Sequence, residues 1–275
     1  MRQLCWLHRA SHLQFDWTPG CVTLTQAAAL VLPVLAAMAL RGAGVALVLA
    51  AALITALFWE ILFALIRGRP ITGHGLTTAL ILAVMIPLTV PLWQIGVAVS
   101  LGVVLAELIF GGGGFGFLNA AVASLAFLSF SFPGVMLVGN EPWVAAASLP
   151  GAAVLLALGL ISWRVLVAAA VFVLGITAFQ GEVLAPLETA AALTFGLVFL
   201  ACDPIGAAST NPGRWLYGAL VAGLIVVFGG SGATLSTNAL VFAVLLASIF
   251  APLLDHLVVL ANAWRRNKRA ERLHG

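Results

Sequence analysis

Ten long apolar runs follow one another along this chain, and they constrain its fold more than any other feature. Only 8% of the residues are charged and 63% are hydrophobic, whereas a water-soluble domain carries about 25% charged residues. Each run is long enough to cross the hydrocarbon core of a bilayer, alone or completed by a partner helix. The runs cover residues 24–40, 44–66, 76–89, 92–110, 118–137, 143–162, 165–179, 187–201, 215–228 and 238–260. The sequence therefore predicts an all-α polytopic membrane protein with about ten transmembrane helices, and it excludes soluble enzymes and nucleic-acid-binding proteins.

The apolar runs also divide the chain. A single transmembrane domain is predicted over residues 24–260, between an N-terminal arm of residues 1–23 and a basic tail of residues 261–275. The first run follows an arm that contains tryptophans and an aspartate, and nine further runs come after it. It is therefore predicted to be a transmembrane helix and not a cleaved secretory signal.

The basic residues predict the orientation, because positively charged loops stay in the cytoplasm. With ten helices, the connections on one side of the membrane hold eleven basic residues, and those on the other side hold only Arg41. The eleven are Arg2, Arg9, Arg67, Arg69, Arg164, Arg214, Arg265, Arg266, Lys268, Arg269 and Arg272. Both termini are therefore predicted to be cytoplasmic. The basic tail is interpreted as a membrane anchor that contacts anionic lipid, in preference to a nucleic-acid patch.

Two short segments at corresponding positions suggest an internal repeat. The third run begins at Gly75 and stops at Pro87, and the eighth stops at Pro204. Division into five plus five helices gives two halves of opposite orientation, a common transporter architecture whose sites lie where short, interrupted helices meet. We therefore predict a 5+5 inverted repeat in which broken helices 3 and 8 line a buried polar site.

Four carboxylates lie within or at the edge of apolar runs: Glu60, Glu107, Asp203 and Asp255. A carboxylate in lipid costs at least about 2.5–3.5 kcal/mol, so each needs a partner, a water-filled cavity or a proton. Glu60 has one simple candidate partner, Arg67, which lies two turns further along the same helix. A structural and a functional role stay open for each.

Several segments resemble one family in the order in which that family has them. They match its third helix, a glycine loop, a Phe-Asn-Pro-Ala segment, Thr-Asp-Pro-Val and Thr-Asn-x-Gly-Arg blocks, and its last helix. The segments are Leu76–Trp93, Ala106–Gly112, Phe117–Ala121, Cys202–Ile205, Ser209–Gly218 and Phe242–His256. The chain is identified by these segments as a shortened member of the NqrB/RnfD family, which comprises membrane subunits of the sodium-pumping NADH:quinone reductase and of the Rnf complex.

This resemblance implies an integral subunit of a flavin-dependent electron-transport complex in the bacterial inner membrane. Family members pass electrons across the membrane, coupled to Na⁺ or H⁺ movement, together with other membrane and flavoprotein subunits. They carry an FMN bound covalently to a threonine and usually a noncovalent flavin of the riboflavin type. No catalytic residue and no metal ligand is implied.

The family blocks also carry over residue roles. The resemblance implies that Asn119, Asp203 and Asn211 contact the cofactor, and that Arg214 neutralises Asp203 or helps to hold a ligand. Asp255 is implied in cation or proton coupling. A loop cap or a loop salt bridge is the alternative role for each of the cofactor-binding residues.

The family's flavin threonine has no counterpart here. It belongs to a long loop between helices five and six, whereas this chain has only Gly139-Asn-Glu-Pro-Trp143 there. Covalent FMN at the usual place is thereby excluded. Ser231-Gly-Ala-Thr234, between helices nine and ten, resembles the acceptor motif of a flavin transferase, although Phe228 replaces the motif's aspartate. Thr234 is therefore a candidate for covalent FMN, and a plain Gly/Ser turn is the other interpretation.

Two other functions stay open at this point. The lost loop, and a fold that the resemblance likens to urea channels, suggest a channel or permease without a cofactor. A scaffold subunit that only positions partner flavoproteins is the third possibility. No Gly-rich dinucleotide fingerprint occurs in the chain, so NADH binding would require a partner protein.

Overall fold

Helices make up all the regular structure in the part of the chain that the computed structural model describes. That part comprises residues 19–68, 73–113, 115–179, 193–229 and 236–274. The helices are α1 (Pro19–Arg41), α2 (Gly44–Arg67), α3 (Gly75–Met85), α4 (Leu92–Val103), α5 (Ala120–Ser131), α6 (Pro142–Ala157), α7 (Trp163–Phe179), α8 (residues 193–201), α9 (Asn211–Gly229) and α10 (Thr237–His274).

Each predicted run corresponds to one of these ten helices, which confirms the all-α polytopic fold. Four helices, α1, α2, α9 and α10, are by themselves long and apolar enough to cross a membrane. Helices α3 to α7 are shorter and apolar. The α3 and α8 helices end before Pro87 and Pro204, as predicted, since the residue before a proline disfavours the helical conformation.

Several helix pairs in the described part of the chain pack as a five-plus-five repeat predicts. The α1 helix packs on α6 and α5 packs on α10, which pairs the corresponding helices of the two halves. Within the halves, α2 packs on α4 as α7 packs on α9, and α4 packs on α5 as α9 packs on α10. The described packing thus follows the predicted repeat.

The bundle has two faces that recur below. At the terminal face, where α1 begins, Gln26, His74, Asn119 and Asp203 come together around one cavity. At the opposite face, Arg41 bonds Glu141 and the backbone at the end of α3. Arg67 lies at the terminal face, where it donates to the carbonyl oxygen of Leu108 just after α4. Arg41, the single basic residue on its side of the predicted topology, thus lies at the other end of the bundle.

The α5 helix ends earlier than predicted. The apolar run suggested a helix to residue 137, but α5 stops at Ser131 because Phe132 precedes Pro133. The connection to α6 therefore covers residues 132–141, and it contains no threonine over this longer span either. It runs over the opposite face, where Val138 donates its backbone N–H to the carbonyl oxygen of Met85 at 2.9 Å.

Two boundaries matter for the sites. The α10 helix continues to His274, so the basic tail predicted over residues 261–275 begins as helix. Thr234, the candidate for covalent FMN, lies outside the described residues. The residues that flank it, Gly229 and Thr237, end α9 and begin α10.

Candidate functional site

A buried cavity lies where the beginning of α3 meets the end of α8, as the repeat predicted. Helices α1 and α6, the N-cap residue of α5 and the connection between α6 and α7 complete its wall. Polar residues form one part of the lining: Gln26, His74, Thr77, Thr78, Asn119 and Asp203. Apolar residues form the rest: Leu30, Ile81, Leu155, Ile161, Val198 and Phe199.

Glu60 of α2 holds the N-terminus of α3. Its carboxylate accepts the backbone N–H groups of Gly73, at 2.5 Å, and Gly75, at 3.4 Å. A carboxylate there satisfies backbone donors that lack helical partners and interacts favourably with the helix dipole. Arg67 instead donates to the carbonyl oxygens of Leu108 and Ile109. The predicted Glu60–Arg67 pairing is therefore wrong.

His74 and Glu107 form a buried pair beside the cavity. The imidazole Nδ1 lies 3.1 Å from the Glu107 carboxylate, and the two residues are only 8% and 4% exposed. Glu107 belongs to a π-helical turn, Val104–Leu108, that continues α4. His74 immediately precedes α3, and its carbonyl oxygen accepts the hydroxyl of Thr77 at 2.8 Å. Glu107, one of the four carboxylates that the sequence places in apolar runs, thus has an imidazole partner.

Asp203 follows the π-helical turn Leu197–Ala201 that ends α8. It is 4% exposed, and its Oδ1 accepts a long hydrogen bond of 3.5 Å from the Gln26 amide. Its Oδ2 has no hydrogen-bond partner among the described residues, and neither has the hydroxyl of Thr78. Buried polar atoms left in this way are costly, and they often mark a place for water or a ligand.

Asn119 has a structural task at the same cavity. Its side-chain oxygen accepts the backbone N–H groups of Ala121, at 2.8 Å, and Val122, at 3.4 Å, and so caps α5. The cap anchors the beginning of α5 against the cavity wall.

The other three predicted residues form a separate cluster at the connection between α8 and α9. The Asp255 carboxylate accepts the backbone N–H and the hydroxyl of both Ser209 and Thr210, at 2.5–3.0 Å. Asn211 is exposed, and its side-chain oxygen accepts a hydrogen bond from the Arg164 guanidinium at 3.0 Å. This geometry favours a bracing role for Asp255.

Arg214 belongs to the same cluster and does not neutralise Asp203. Its Nε donates to the carbonyl oxygen of Ala208 at 3.2 Å, while Asp203 has Gln26 as its hydrogen-bonded side-chain neighbour. The sequence-based pairing of Arg214 with Asp203 is therefore a prediction that the structure corrects.

The size of the cavity limits what it can hold. The space that water can occupy is about 20 Å³, which suffices for about one water molecule. Pockets for ring-shaped ligands measure roughly 300 Å³ or more. Apolar walls with a few polar groups suit an isoalloxazine ring chemically, and the free space between them is smaller than such a ring. Within the described ranges, no three His, Cys, Asp or Glu side chains form a metal site.

The polar residues around the cavity were only partly foreseen. Asn119, Asp203 and Glu107 are named by the sequence argument, whereas His74, Gln26 and Thr78 are not. The signal for His74 was its place directly before a short broken helix, where transporter sites concentrate.

Comparison with known proteins gives a family match over most of the chain. A model of the NQR2, RnfD, RnfE family matches residues 7–146 and 137–263. Three relatives, each an NqrB subunit of Na(+)-translocating NADH-quinone reductase, come from Chromohalobacter salexigens, Klebsiella pneumoniae and Ectopseudomonas mendocina. They are 32%, 31% and 29% identical over 269, 272 and 268 aligned residues. In each case 77% of this chain is covered. The alignments span 64%, 66% and 66% of the relatives, slightly less than two thirds of their length.

Proposed function

Because this chain belongs to the NQR2, RnfD, RnfE family, we propose that it is an integral membrane subunit of a flavin-dependent electron-transport complex of the Nqr or Rnf kind. The observation that carries the proposal is the family match along both halves of the chain. A ten-helix bundle with a polar cavity between its two broken helices supports it. Electrons would pass across the bacterial inner membrane, coupled to Na⁺ or H⁺ movement.

Partner subunits follow from this proposal. The chain has no Gly-rich dinucleotide fingerprint, so NADH oxidation belongs to another protein of the complex. The relatives are named as subunits of an NADH-quinone reductase, and we propose comparable membrane and flavoprotein partners here. The termini are proposed to face the cytoplasm, next to the face that holds the polar cavity.

For the flavin we propose covalent FMN at Thr234, attached by a flavin transferase. The flanking helix ends lie at the opposite face, because Asn238 at the beginning of α10 bonds the 132–141 connection there. Under the proposed topology this face is outside the cytoplasm. An FMN at this position would supply one-electron chemistry, and this chain would contribute the threonine hydroxyl and the small residues around it. For a noncovalent flavin we propose the cavity residues Asn119 and Asp203 as contacts, with the cavity widening around the ring.

A second candidate is a channel or permease of the same fold. The small polar cavity with the unpartnered Asp203 oxygen and the threonine-free 132–141 connection favour it. Such a protein would be colourless and would conduct a small polar solute or ion after reconstitution into liposomes.

The test is to purify the chain, made in its own bacterium or together with a flavin transferase, in mild detergent. We expect flavin absorption that dithionite bleaches, and fluorescence that stays with the denatured polypeptide on a gel. Thr234→Ala should abolish the gel fluorescence. Thr237→Ala, which removes the next threonine along the chain, is the matched control and should retain it.

Two outcomes contradict the flavin proposal. Gel fluorescence that persists in Thr234→Ala refutes attachment at this residue. A colourless wild-type preparation with intact helical content, together with solute flux in liposomes, refutes the electron-transport function and favours the permease.

A further inference from the structure

The buried pair of His74 and Glu107 lies at the edge of a cavity that has room for about one water molecule. A histidine with one ring nitrogen bound to a carboxylate has its tautomer set by that contact. When the Glu107 carboxylate accepts a hydrogen bond from Nδ1–H, the neutral imidazole presents the Nε2 lone pair on its other side. His74 lines the cavity, and no hydrogen bond engages Nε2 among the described residues.

The carboxylates around His74 come from several elements. Glu107 extends from the π-helical turn after α4, Asp203 from the connection after α8, and Glu60 from α2, and all three act electrostatically on the imidazole. Helices α1 and α5 contribute the neutral amides of Gln26 and Asn119. A proton added to His74 would therefore enter a negative environment, although the site is buried.

We propose that His74 is a proton-binding residue of this membrane domain, with Glu107 as the group that positions its imidazole and Asp203 as the counter-charge across the cavity. The proton comes from water at the terminal face and binds Nε2, while Glu107 keeps the hydrogen bond to Nδ1–H. The resulting imidazolium can donate through a cavity water to the unpartnered Asp203 Oδ2. No electron is transferred in this step, and the reverse step returns the proton to water.

The arrangement differs from a histidine that only packs. A packed imidazole leaves no buried oxygen unpaired beside it, whereas here Asp203 Oδ2 and the Thr78 hydroxyl both lack partners in the described structure and both line the cavity. One water molecule could satisfy these two atoms and Nε2 together, because an ordered buried water makes about three hydrogen bonds. The inference does not require a flavin, so it goes beyond the proposed function.

Nitrogen NMR of the full chain in detergent, with ¹⁵N-labelled histidine, tests this proposal. His74→Gln identifies the His74 signals among the five histidines. We expect its neutral form to carry the proton on Nδ1, and its signals to titrate reversibly within the range of about pH 5–8 where imidazoles change charge. Glu107→Gln should move the midpoint by about one pH unit or more toward lower pH, because an opposite charge at this distance favours the imidazolium.

Asp203→Asn should move the midpoint in the same direction. Because this variant retains the His74–Glu107 contact, it tests the proposal even if Glu107→Gln fails to fold. Glu141→Gln, which removes a carboxylate at the opposite face, is the matched control and should not move it. A His74 signal that stays neutral throughout this range overturns the proposal, and so does a midpoint that neither substitution moves. The measurement needs no flavin, so its outcome is separate from that of the proposed function: a protein that is colourless and conducts solute but titrates as expected would refute the electron-transport function and leave this inference intact.

Discussion

Arg41 is the single basic residue on its side of the predicted topology, and its contacts explain how it is accommodated there. Its Nε and one terminal nitrogen donate to the two Glu141 carboxylate oxygens at 2.7 and 2.6 Å. Its other terminal nitrogen donates to the carbonyl oxygen of Val84 at 2.7 Å. A bidentate arginine–carboxylate pair is among the stronger polar contacts in proteins. One residue thus joins the ends of α1 and α3 to the beginning of α6.

Glu141 makes the stability of this joint dependent on pH. Burial alone would raise the pKa of Glu141, but the hydrogen bond and positive charge of Arg41 outweigh burial and hold that pKa below its ordinary value. The folded state therefore binds fewer protons there than the unfolded chain. The stabilisation is present at neutral pH and is lost as the pH falls through the pKa of the folded state.

We therefore expect Glu141→Gln to lower the melting temperature in detergent at neutral pH. The melting temperature of this variant should also fall less than that of the wild type when the pH is lowered. Tryptophan fluorescence recorded during heating at a series of pH values measures both effects. Glu271→Gln, in the basic tail, should behave like the wild type. Parallel pH profiles for Glu141→Gln and the wild type would show that the ion pair does not stabilise the fold.

At the residue scale, single positions were predictable and pairings were not. Apolar context marked Glu107 and Asp203, because a carboxylate in such a run needs an explanation. The partner of Glu107 lies 33 residues away along the chain, and it comes close because α3 and α4 both pack on α2. Arg214 and Asp203 fall within the same stretch of sequence, yet the turn between α8 and α9 separates them.

At the element scale, close approach of helices depends on particular glycines. A Cβ atom built on Gly102 of α4 would lie 2.6 Å from the backbone nitrogen of Ser124 and 2.8 Å from the carbonyl oxygen of Ala120, both in α5. Backbone atoms cannot give way as flexible side chains do, so α4 and α5 are held at a distance that only glycine permits. Small residues at such contacts are typical of membrane helices.

We expect Gly102→Ala to destabilise the protein by about 1–3 kcal/mol, the usual cost of overpacking. Gly223→Ala is the matched control, since a Cβ atom there would have no neighbour within 4 Å. The fraction of monodisperse protein that survives heating, measured by size-exclusion chromatography, reports the difference. Equal survival of the two variants would mean that α4 can move away from α5 without loss.

Helix number was predictable from the sequence, and helix ends were less so. Each of the ten apolar runs corresponds to one helix, because a helix is the one open structure that bonds all backbone polar groups internally in lipid. The predicted fifth run extended to residue 137, although Pro133 breaks the helix inside it. The π-helical turns after α4 and in α8 have no counterpart in hydrophobic periodicity, yet one of them presents Glu107 to His74.

At the scale of the whole molecule, the two halves of the chain pack alike, but the two faces of the bundle carry different charged groups. The opposite face closes over the end of α3 with the Arg41–Glu141 pair and the 132–141 connection. The terminal face has the Asp203 oxygen at the end of α8, which lacks a partner among the described residues, and the His74–Glu107 pair at the beginning of α3. A bundle with such unequal ends presents different polar groups at its two faces.

Which face lies in the cytoplasm can be tested with single cysteines in a chain whose Cys5, Cys21 and Cys202 are replaced by serine. Asn140→Cys is exposed on the opposite face, and Asn211→Cys is exposed at the terminal face. If positive charge governs orientation, an impermeant maleimide should label Asn140→Cys on spheroplasts and should label Asn211→Cys only after the membrane is opened. The reverse pattern would put both termini outside. It would also put the segment around Thr234 in the cytoplasm, because that segment joins two helix ends on the same face as Asn140. A flavin transferase that works outside could not then reach this threonine.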